Sequence, residues 1–191
     1  MNYSLINSIS GDIRNILDIS RQVNMVALNA TLVARQAGDA HGFSAVAGEL
    51  RGFSQHLNQD MENLSRQVYL LSMEVSCYFK QHHRLRLFEL SKKSCDSLAV
   101  LNSSTEHLQL QQQSSLDEFK TRLQQLQLKV TKSLRLCNTG RALARSSMIE
   151  AHHSRTNANK LSVVAAEIES TINSIYGWLK AIVSKITNTA T

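Results

Sequence analysis

The chain has 191 residues, no proline and few aromatic residues, with 42% apolar and only 5% aromatic content. Because proline breaks helix interiors, its absence predicts long uninterrupted helices. The sequence contains no run of about 18 apolar residues, which a membrane span needs, and no secretory signal at its N-terminus. Its three cysteines, Cys77, Cys95 and Cys137, are unclustered, as in a reducing compartment. We therefore expect a cytoplasmic helical protein.

The net charge is +6, and the charged residues are dispersed along the chain. A basic surface is compatible with nucleic acid, anionic lipid or an acidic protein. No nucleic-acid motif accompanies the densest basic stretch, residues 80–86. We therefore expect a solvated helical surface and no nucleic-acid partner. The opposite hypothesis, a basic rod that binds nucleic acid, predicts steeply salt-dependent association.

Apolar and small residues near the N-terminus are spaced alternately three and four apart, which predicts the a/d seam of closely packed helices. They are Ile6, Ile9, Ile13, Ile16, Ser20, Val23, Ala27, Ala30 and Ala34. The same register returns 117 positions later, at Leu123, Leu126, Val130, Ser133, Cys137, Gly140, Ala144, Ser147 and Ala151. This repetition predicts two copies of one helical unit.

A second seam follows the first and predicts a returning helix. Its members are Phe43, Val46, Leu50, Phe53, Leu57, Met61, Leu64 and Val68. The matching positions, 118 residues later, are Leu161, Val164, Ile168, Thr171, Ile175, Leu179, Ile182 and Ile186. Both copies step by four twice in succession after the fourth member. This spacing predicts a shared register break.

Turn signals divide these segments. Gly38 and Gly42 favour a tight turn between the first two helices, and asparagines near residues 154–159 favour a second one. The run Ser103 to Glu106 resembles a capping box. We therefore expect the second helix to end near residue 93 and the third to begin near 104, with a loop over 94–103.

Together these elements predict an all-α antiparallel four-helix bundle that spans residues 1–191 as a single unit. The first hairpin covers 1–68, a helical extension and connection covers 69–122, and a second hairpin covers 123–191. Both hairpin tips fall at one end of the bundle. Helices two and three, with about 50 residues each, are rods of roughly 75 Å that project beyond the other two.

The first tip resembles the cytoplasmic signalling hairpin of bacterial methyl-accepting chemotaxis receptors. The resemblance covers about residues 5–70 and, more weakly, 122–188. The matching residues are Gln22, Asn24, Ala27, Leu28, Asn29, Ala30, Ala37, Gly38, Gly42, Phe43, Val46, Ala47, Glu49, Leu50 and Arg51. In that family two chains form a dimer of hairpins, whose tip binds a histidine kinase and its coupling protein and clusters with other receptor tips.

The resemblance implies that one chain with two hairpins mimics a receptor dimer. It also implies that the chain is a monomer rather than a homodimer, because the second hairpin is tethered to the first. It also implies contact positions for the histidine kinase, the coupling protein or receptor tips. These are Asn24, Met25, Leu28, Asn29, Val33, Gln36, Phe43, Ala45, Glu150, His153 and Val163. Val33 and Gln36 stand where the family has glutamate and arginine.

No catalytic motif is present: the sequence lacks a phosphate-binding loop, a nucleophile elbow and convergent carboxylates. We expect no enzymatic activity and no cofactor. The seven histidines include adjacent pairs, whose side chains point about 100° apart on a helix, so we expect no metal site. We interpret Cys77 and Cys137 as small seam residues. The alternative function is a divergent coiled-coil dimerisation or relay module unrelated to chemotaxis.

Overall fold

The computed structural model describes residues 3–37, 41–92, 98–154 and 158–190. These residues form four α-helices and contain no strand: α1 (Tyr3–Ala37), α2 (His41–Lys92), α3 (Leu98–His153) and α4 (Ala158–Ala190). The contacts run from α1 to α2, from α2 to α3, from α3 to α4 and from α4 back to α1. The prediction of an all-α four-helix bundle is confirmed.

The predicted seam of α1 is confirmed in full, and so is its repetition in α3. Every position from Ile6 to Ala34 in that seam is buried, and each position 117 residues later is buried too. In both helices the buried side chains become smaller toward the turn, from isoleucine and leucine to alanine. This trend reflects the closer approach of the helix backbones that small side chains allow.

The seam of α2 differs from the prediction at two positions, and α4 differs in the same way. Ala47 and Ser54 occupy the seam, together with their equivalents Ala165 and Ile172, whereas Val46 is half-buried. With these members, the spacing alternates four and three without interruption, so the predicted register break is wrong. Phe53 is also buried, but it lies beside the seam. The sequence alone does not distinguish a large apolar residue at this position from a member of the seam.

The boundary between α2 and α3 was only partly predicted. Helix α2 ends at Lys92, as expected, but α3 begins at Leu98 and includes the supposed capping box at 103–106. Leucine and alanine between 98 and 101 favour helix strongly enough to outweigh the serines nearby. Residues 93–97, with the start of the expected loop, and the turn residues 38–40 and 155–157 lie outside the described residues.

Helices α2 and α3 are the longest, as predicted, with 52 and 56 residues against 35 in α1 and 33 in α4. They extend beyond the other two helices by roughly 20 residues, about 30 Å. In this extension Arg122 donates a hydrogen bond of 2.7 Å to Glu74. Farther along, Ser115 Oγ lies 3.3 Å from Gln81 Oε1, so the two helices stay paired.

Candidate functional site at the tip of the bundle

The two turns of the bundle lie at the same end. Gly42, in the first turn of α2, lies so close to Glu150 of α3 that an added Cβ would overlap its carboxylate. The first turn of a helix carries unpaired backbone N–H groups and a partial positive charge. The Glu150 carboxylate therefore stabilises the start of α2 and joins the two hairpins at the tip.

The outer face of α1 carries an exposed apolar stripe. Met25, Leu28 and Leu32 are 57%, 47% and 57% exposed, and their spacing of three and four residues places them on one side of the helix. Contiguous exposed apolar side chains are typical of interaction surfaces. Leu32 was absent from the predicted contact positions, although its spacing from Met25 and Leu28 was sufficient to identify it.

Most of the other predicted contact positions are also at the surface. Five of them have exposed side chains: Asn29, Gln36, Ala45, His153 and Val163. They are distributed over all four helices rather than collected on one face. The tip therefore offers several distinct surfaces, and the identity of the contact residues stays a prediction for these positions.

Four predicted contact positions are not exposed, and one of them is Glu150, which is half-buried beside Gly42. Phe43 is only 1% exposed and belongs to the core, so its assignment as a partner contact is wrong. Val33 is half-buried and packs against the core. Asn24 is half-buried, and its amide oxygen has no hydrogen-bond partner among the described residues. In each case the position lies on or beside the seam, where a family match does not imply exposure.

One flank of α1 faces α4, and the opposite flank faces α2. Asp12 marks the first flank, since its carboxylate accepts a hydrogen bond of 2.5 Å from Lys185 of α4. Leu28 is on the opposite side of the helix, together with Arg21 and Arg35, which are seven residues before and after it. These three side chains are exposed, and they line the side of α1 next to α2.

The flank of α2 that faces α1 carries glycines near the tip. Asp60 accepts a hydrogen bond from Ser133 of α3 at 3.1 Å, which identifies the flank of α2 that faces α3. Gly48 and Arg51 occupy the other flank, next to α1. A Cβ added to Gly48 or to Gly52 would meet nothing within 4 Å. At these two glycines no side chain protrudes from α2, so its surface lies recessed beside the apolar stripe of α1.

We call this surface the α1/α2 tip groove. Its wall is the apolar stripe of α1, its floor is the surface of α2 around Gly48 and Gly52, and its rim carries three arginines. Its residues are Arg21, Met25, Leu28, Leu32, Arg35, Gly48, Arg51 and Gly52. Two carboxylates of the described residues border the groove: Asp18 of α1, which lies 3.5 Å from Arg21, and the exposed Glu49 of α2, which follows Gly48.

The equivalent surface on the other hairpin, the α3/α4 tip groove, has a different character. The positions that match the apolar stripe are Ala142, Arg145 and Ile149, all exposed. The positions that match Gly48 and Arg51 are Ala166 and Glu169. The second groove therefore has one large apolar side chain in its wall, an arginine in the middle of it and an acidic residue at its rim.

The rest of the described chain offers little that is suited to chemistry. No three histidine, cysteine, aspartate or glutamate side chains converge on a possible metal position within the described ranges. Cys137 is buried in the seam, and burial raises the pKa of its thiol to about 12. Cys77 is exposed, so its assignment to the seam is wrong, and Cys95 lies outside the described residues.

The described helices are each too polar, over any stretch of membrane-spanning length, to cross a bilayer.

Comparison with known proteins connects this architecture to chemoreceptors. The chain is 32% identical over 104 residues to the methyl-accepting chemotaxis protein HlyB of Vibrio cholerae. It is 36% identical over 73 residues to the methyl-accepting chemotaxis protein McpA of Pseudomonas putida. A third relative, Amb0994 of Paramagnetospirillum magneticum, is 43% identical over 54 residues. These similarities support a helical, chemoreceptor-like signalling domain.

Each of these matches is partial. The matches to HlyB, McpA and Amb0994 cover 51%, 36% and 28% of this chain, respectively. The matched stretch spans only 19%, 11% and 12% of the lengths of these relatives. No family model matches the chain. No solved structure matches it either.

Proposed function

We propose that this protein is a non-enzymatic, cytoplasmic, single-chain mimic of the signalling tip of a chemoreceptor dimer. Its two hairpins, residues 1–68 and 123–191, are divergent copies of one receptor-like hairpin, and residues 69–122 extend and connect them. Its tip binds chemotaxis-type partners: a histidine kinase, its coupling protein or receptor tips. The similarity to chemotaxis receptors and the shared burial pattern of the two hairpins support this proposal.

One packing detail carries the single-chain part of the proposal. Phe53 of α2 covers Gly140 of α3 so closely that an added Cβ on Gly140 would lie 2.6 Å from the ring. The equivalent positions between α1 and α4 are Val23 and Thr171. Between α2 and α3, the large side chain of Phe53 thus lies opposite a glycine. Between α1 and α4, two medium-sized side chains occupy the equivalent positions.

This difference in side-chain size favours a bundle in which the first hairpin packs against the second hairpin rather than against a copy of itself. If two first hairpins paired, Phe53 would meet Val23, and overpacking of this kind destabilises a core. If two second hairpins paired, Thr171 would meet Gly140 and leave a cavity, which is also destabilising. Each hairpin thus fits the other better than a copy of itself, as expected of a bundle that forms within one chain.

The oligomeric state tests the mimic directly. Light scattering over a wide concentration range should give a constant mass near the 21.3 kDa of one chain. A mass that doubles with concentration would contradict the proposal, because it would show that the hairpins pair between chains.

Partner binding tests the signalling role. We expect the purified protein to bind the coupling protein or the histidine kinase of its source organism, and to compete with a receptor fragment for them in a kinase assay. The control is the same protein unfolded by a substitution in the core, such as Leu50→Asp. If the folded protein leaves both partners unbound and kinase activity unchanged, the chemotaxis role is wrong and the relay-module alternative is favoured.

A further inference from the structure

We propose that the tip is one-sided: the α1/α2 tip groove docks an acidic amphipathic helical segment of a partner protein, and the α3/α4 tip groove docks none. This inference rests on the proposed function and specifies the number of its binding faces and the chemistry of the partner. A dimer of two identical receptor chains presents two identical faces, whereas this single chain presents two faces that have diverged.

The apolar part of the docking surface comes from α1. Met25, Leu28 and Leu32 cover about two helical turns and are each about half exposed. Beside them, Gly48 and Gly52 leave open space, so an incoming helix can approach the backbone of α2 while its apolar side chains pack against α1. Grooves of this shape recognise amphipathic helices through residues spaced three and four apart.

The charged part of the surface selects an acidic partner. Arg21, Arg35 and Arg51 surround the apolar stripe and are exposed. The three arginines outnumber the two carboxylates at the groove, Asp18 and Glu49. Asp18 is bound to Arg21 only through a pair whose side chains are 72% and 70% exposed. Exposed pairs of this kind are weak, so a carboxylate of the partner can replace Asp18. Charge complementarity therefore points to a helix with acidic residues beside its apolar stripe.

The α3/α4 tip groove lacks both parts. Arg145 replaces Leu28 in the middle of the wall, and Ala142 replaces Met25. Glu169 replaces Arg51 and reverses the charge of the rim, while His152 and Asn138 stand in place of Arg35 and Arg21. There an acidic amphipathic helix would have to cover the charged end of the exposed Arg145 with its apolar stripe and would be repelled by Glu169. It would find Ile149 as the large apolar side chain of the wall.

The stoichiometry of binding distinguishes one docking face from two. We would titrate the purified coupling protein into the 191-residue chain by isothermal titration calorimetry, at low and at high salt. We expect one coupling protein per chain and an affinity that falls as salt increases, because the arginine rim contributes charge interactions.

Matched substitutions at equivalent positions identify the face. Leu28→Arg should weaken binding about tenfold or more, as expected for the centre of an apolar contact. Arg51→Glu should weaken it about tenfold at low salt and less at high salt. The matched controls, Arg145→Glu and Glu169→Gln in the other groove, should leave the affinity within about twofold. All four positions are exposed or half-buried, so the fold, checked by circular dichroism, should persist.

A gain of function provides the strictest test. The triple variant Ala142→Met, Arg145→Leu and Glu169→Arg copies the first groove onto the second hairpin. We expect this variant to bind two coupling proteins per chain instead of one.

The outcomes separate this inference from the proposed function. If the unaltered protein does not bind the coupling protein, the one-sided tip is overturned, whereas the chemotaxis role is overturned only if the histidine kinase also stays unbound and its activity unchanged. Binding of two coupling proteins per chain, or equal losses from substitutions in the two grooves, would overturn the one-sided tip and leave the chemotaxis role intact. One coupling protein per chain with losses confined to the α3/α4 groove would also overturn it, because it would place the docking face on the wrong hairpin.

Discussion

The two hairpins share a buried frame but fill it with different chemistry. In the first, Ser20 and Ser54 are fully buried. Each hydroxyl donates a hydrogen bond to the other residue's backbone carbonyl, at 2.7 Å from Ser54 and 3.4 Å from Ser20. The equivalent residues of the second hairpin are Cys137 and Ile172, both fully buried and apolar. The spacing of the seam therefore constrains the position of a buried side chain much more than its polarity.

The two hairpins also differ in chemistry one helical turn beyond Cys137 and Ile172. Arg141 of α3 lies over the ring of Tyr176 in α4, 4.9 Å from its centroid. The equivalent residues of the first hairpin are Asn24 and Asn58, whose buried amide oxygens have no hydrogen-bond partner within the described chain. Asparagine is several atoms shorter than arginine or tyrosine, so the first hairpin cannot form this contact. In these two layers the first hairpin has the more polar interior, and its buried amide oxygens lack partners among the described residues.

The largest effect is expected where the two hairpins meet. Gly140→Val introduces the residue of the equivalent position, Val23, beneath the buried ring of Phe53. The ring cannot move aside because it is only 4% exposed, so we expect a loss of about 2–3 kcal/mol of unfolding free energy from overpacking. Chemical denaturation measures it.

The compensating substitution sharpens the test. Adding Phe53→Thr to Gly140→Val reproduces the pairing of Val23 with Thr171, and we expect it to restore about half or more of the lost stability. Phe53→Thr alone should be destabilising, by about 3 kcal/mol, because it leaves a cavity above Gly140. Additive losses in the double variant would show that the two residues do not compensate each other.

The next effect has the opposite sign. Replacing Ser20→Cys and Ser54→Ile gives the first hairpin the layer of the second. Two hydrogen bonds worth about 1 kcal/mol each are lost, but a fully buried isoleucine contributes about 2–3 kcal/mol. We expect a net gain of about 1 kcal/mol, measured by urea denaturation.

Cys137→Ser is the reciprocal control. It places a hydroxyl opposite Ile172 and should reduce stability by about 1 kcal/mol, since a single hydrogen bond to a backbone carbonyl does not fully compensate for the burial of the hydroxyl in an apolar layer. If the serine pair proves more stabilising than the cysteine and isoleucine pair, then the two hairpins do not share one interchangeable frame.

These residues also show what the sequence can predict. The seams of α1 and α3 follow directly from spacing, because each of their members is either apolar or small. In α2 the same reasoning failed at Phe53, since a large apolar side chain beside the seam is indistinguishable from one within it. Serine is ambiguous in the same way: Ser54 is a core residue, whereas the serines at 103 and 104 suggested a helix start that does not exist.

The candidate site was predictable only in part. The apolar stripe of α1 can be read from the spacing of Met25, Leu28 and Leu32. The groove beside it depends on which flank of α1 faces α2 and which faces α4, and that choice follows from contacts such as Asp12 with Lys185. A resemblance to a family does not supply this information, because it matches residue types and not the packing of one helix against another. It also placed Phe43 among the contact positions, although that side chain is buried in the core.

A smaller effect is expected between α3 and α4. Arg141→Ala removes the cation from the face of Tyr176, and we expect a loss of about 0.5–1 kcal/mol, detected by thermal unfolding. Arg135→Ala, an exposed arginine on the same helix, is the matched control and should change stability by less than about 0.5 kcal/mol. Equal effects would mean that Arg141 acts only through net charge.

The smallest effect lies in the extension, where the two halves have no equivalent positions to compare. Burial raises the pKa of Glu74; Arg122 opposes this shift and Glu118 adds to it. A raised pKa means that the ionised carboxylate is less stable in the folded protein than in the unfolded chain. Its stabilising contribution is therefore complete below pH 4.5, the ordinary pKa, and is lost as the pH rises through the pKa of the folded state.

We therefore expect Glu74→Gln to stabilise the protein slightly at pH 7, by a few tenths of a kcal/mol, and to have less effect below pH 4.5. Urea denaturation at several pH values measures this difference. Glu118→Gln provides the control: it removes the like charge, so the pKa of Glu74 should fall and the benefit of Glu74→Gln should shrink. A benefit that grows as the pH falls would show that the ion pair with Arg122 outweighs the burial of the carboxylate, and would make the extension a charge-stabilised part of the molecule rather than one held by its apolar contacts.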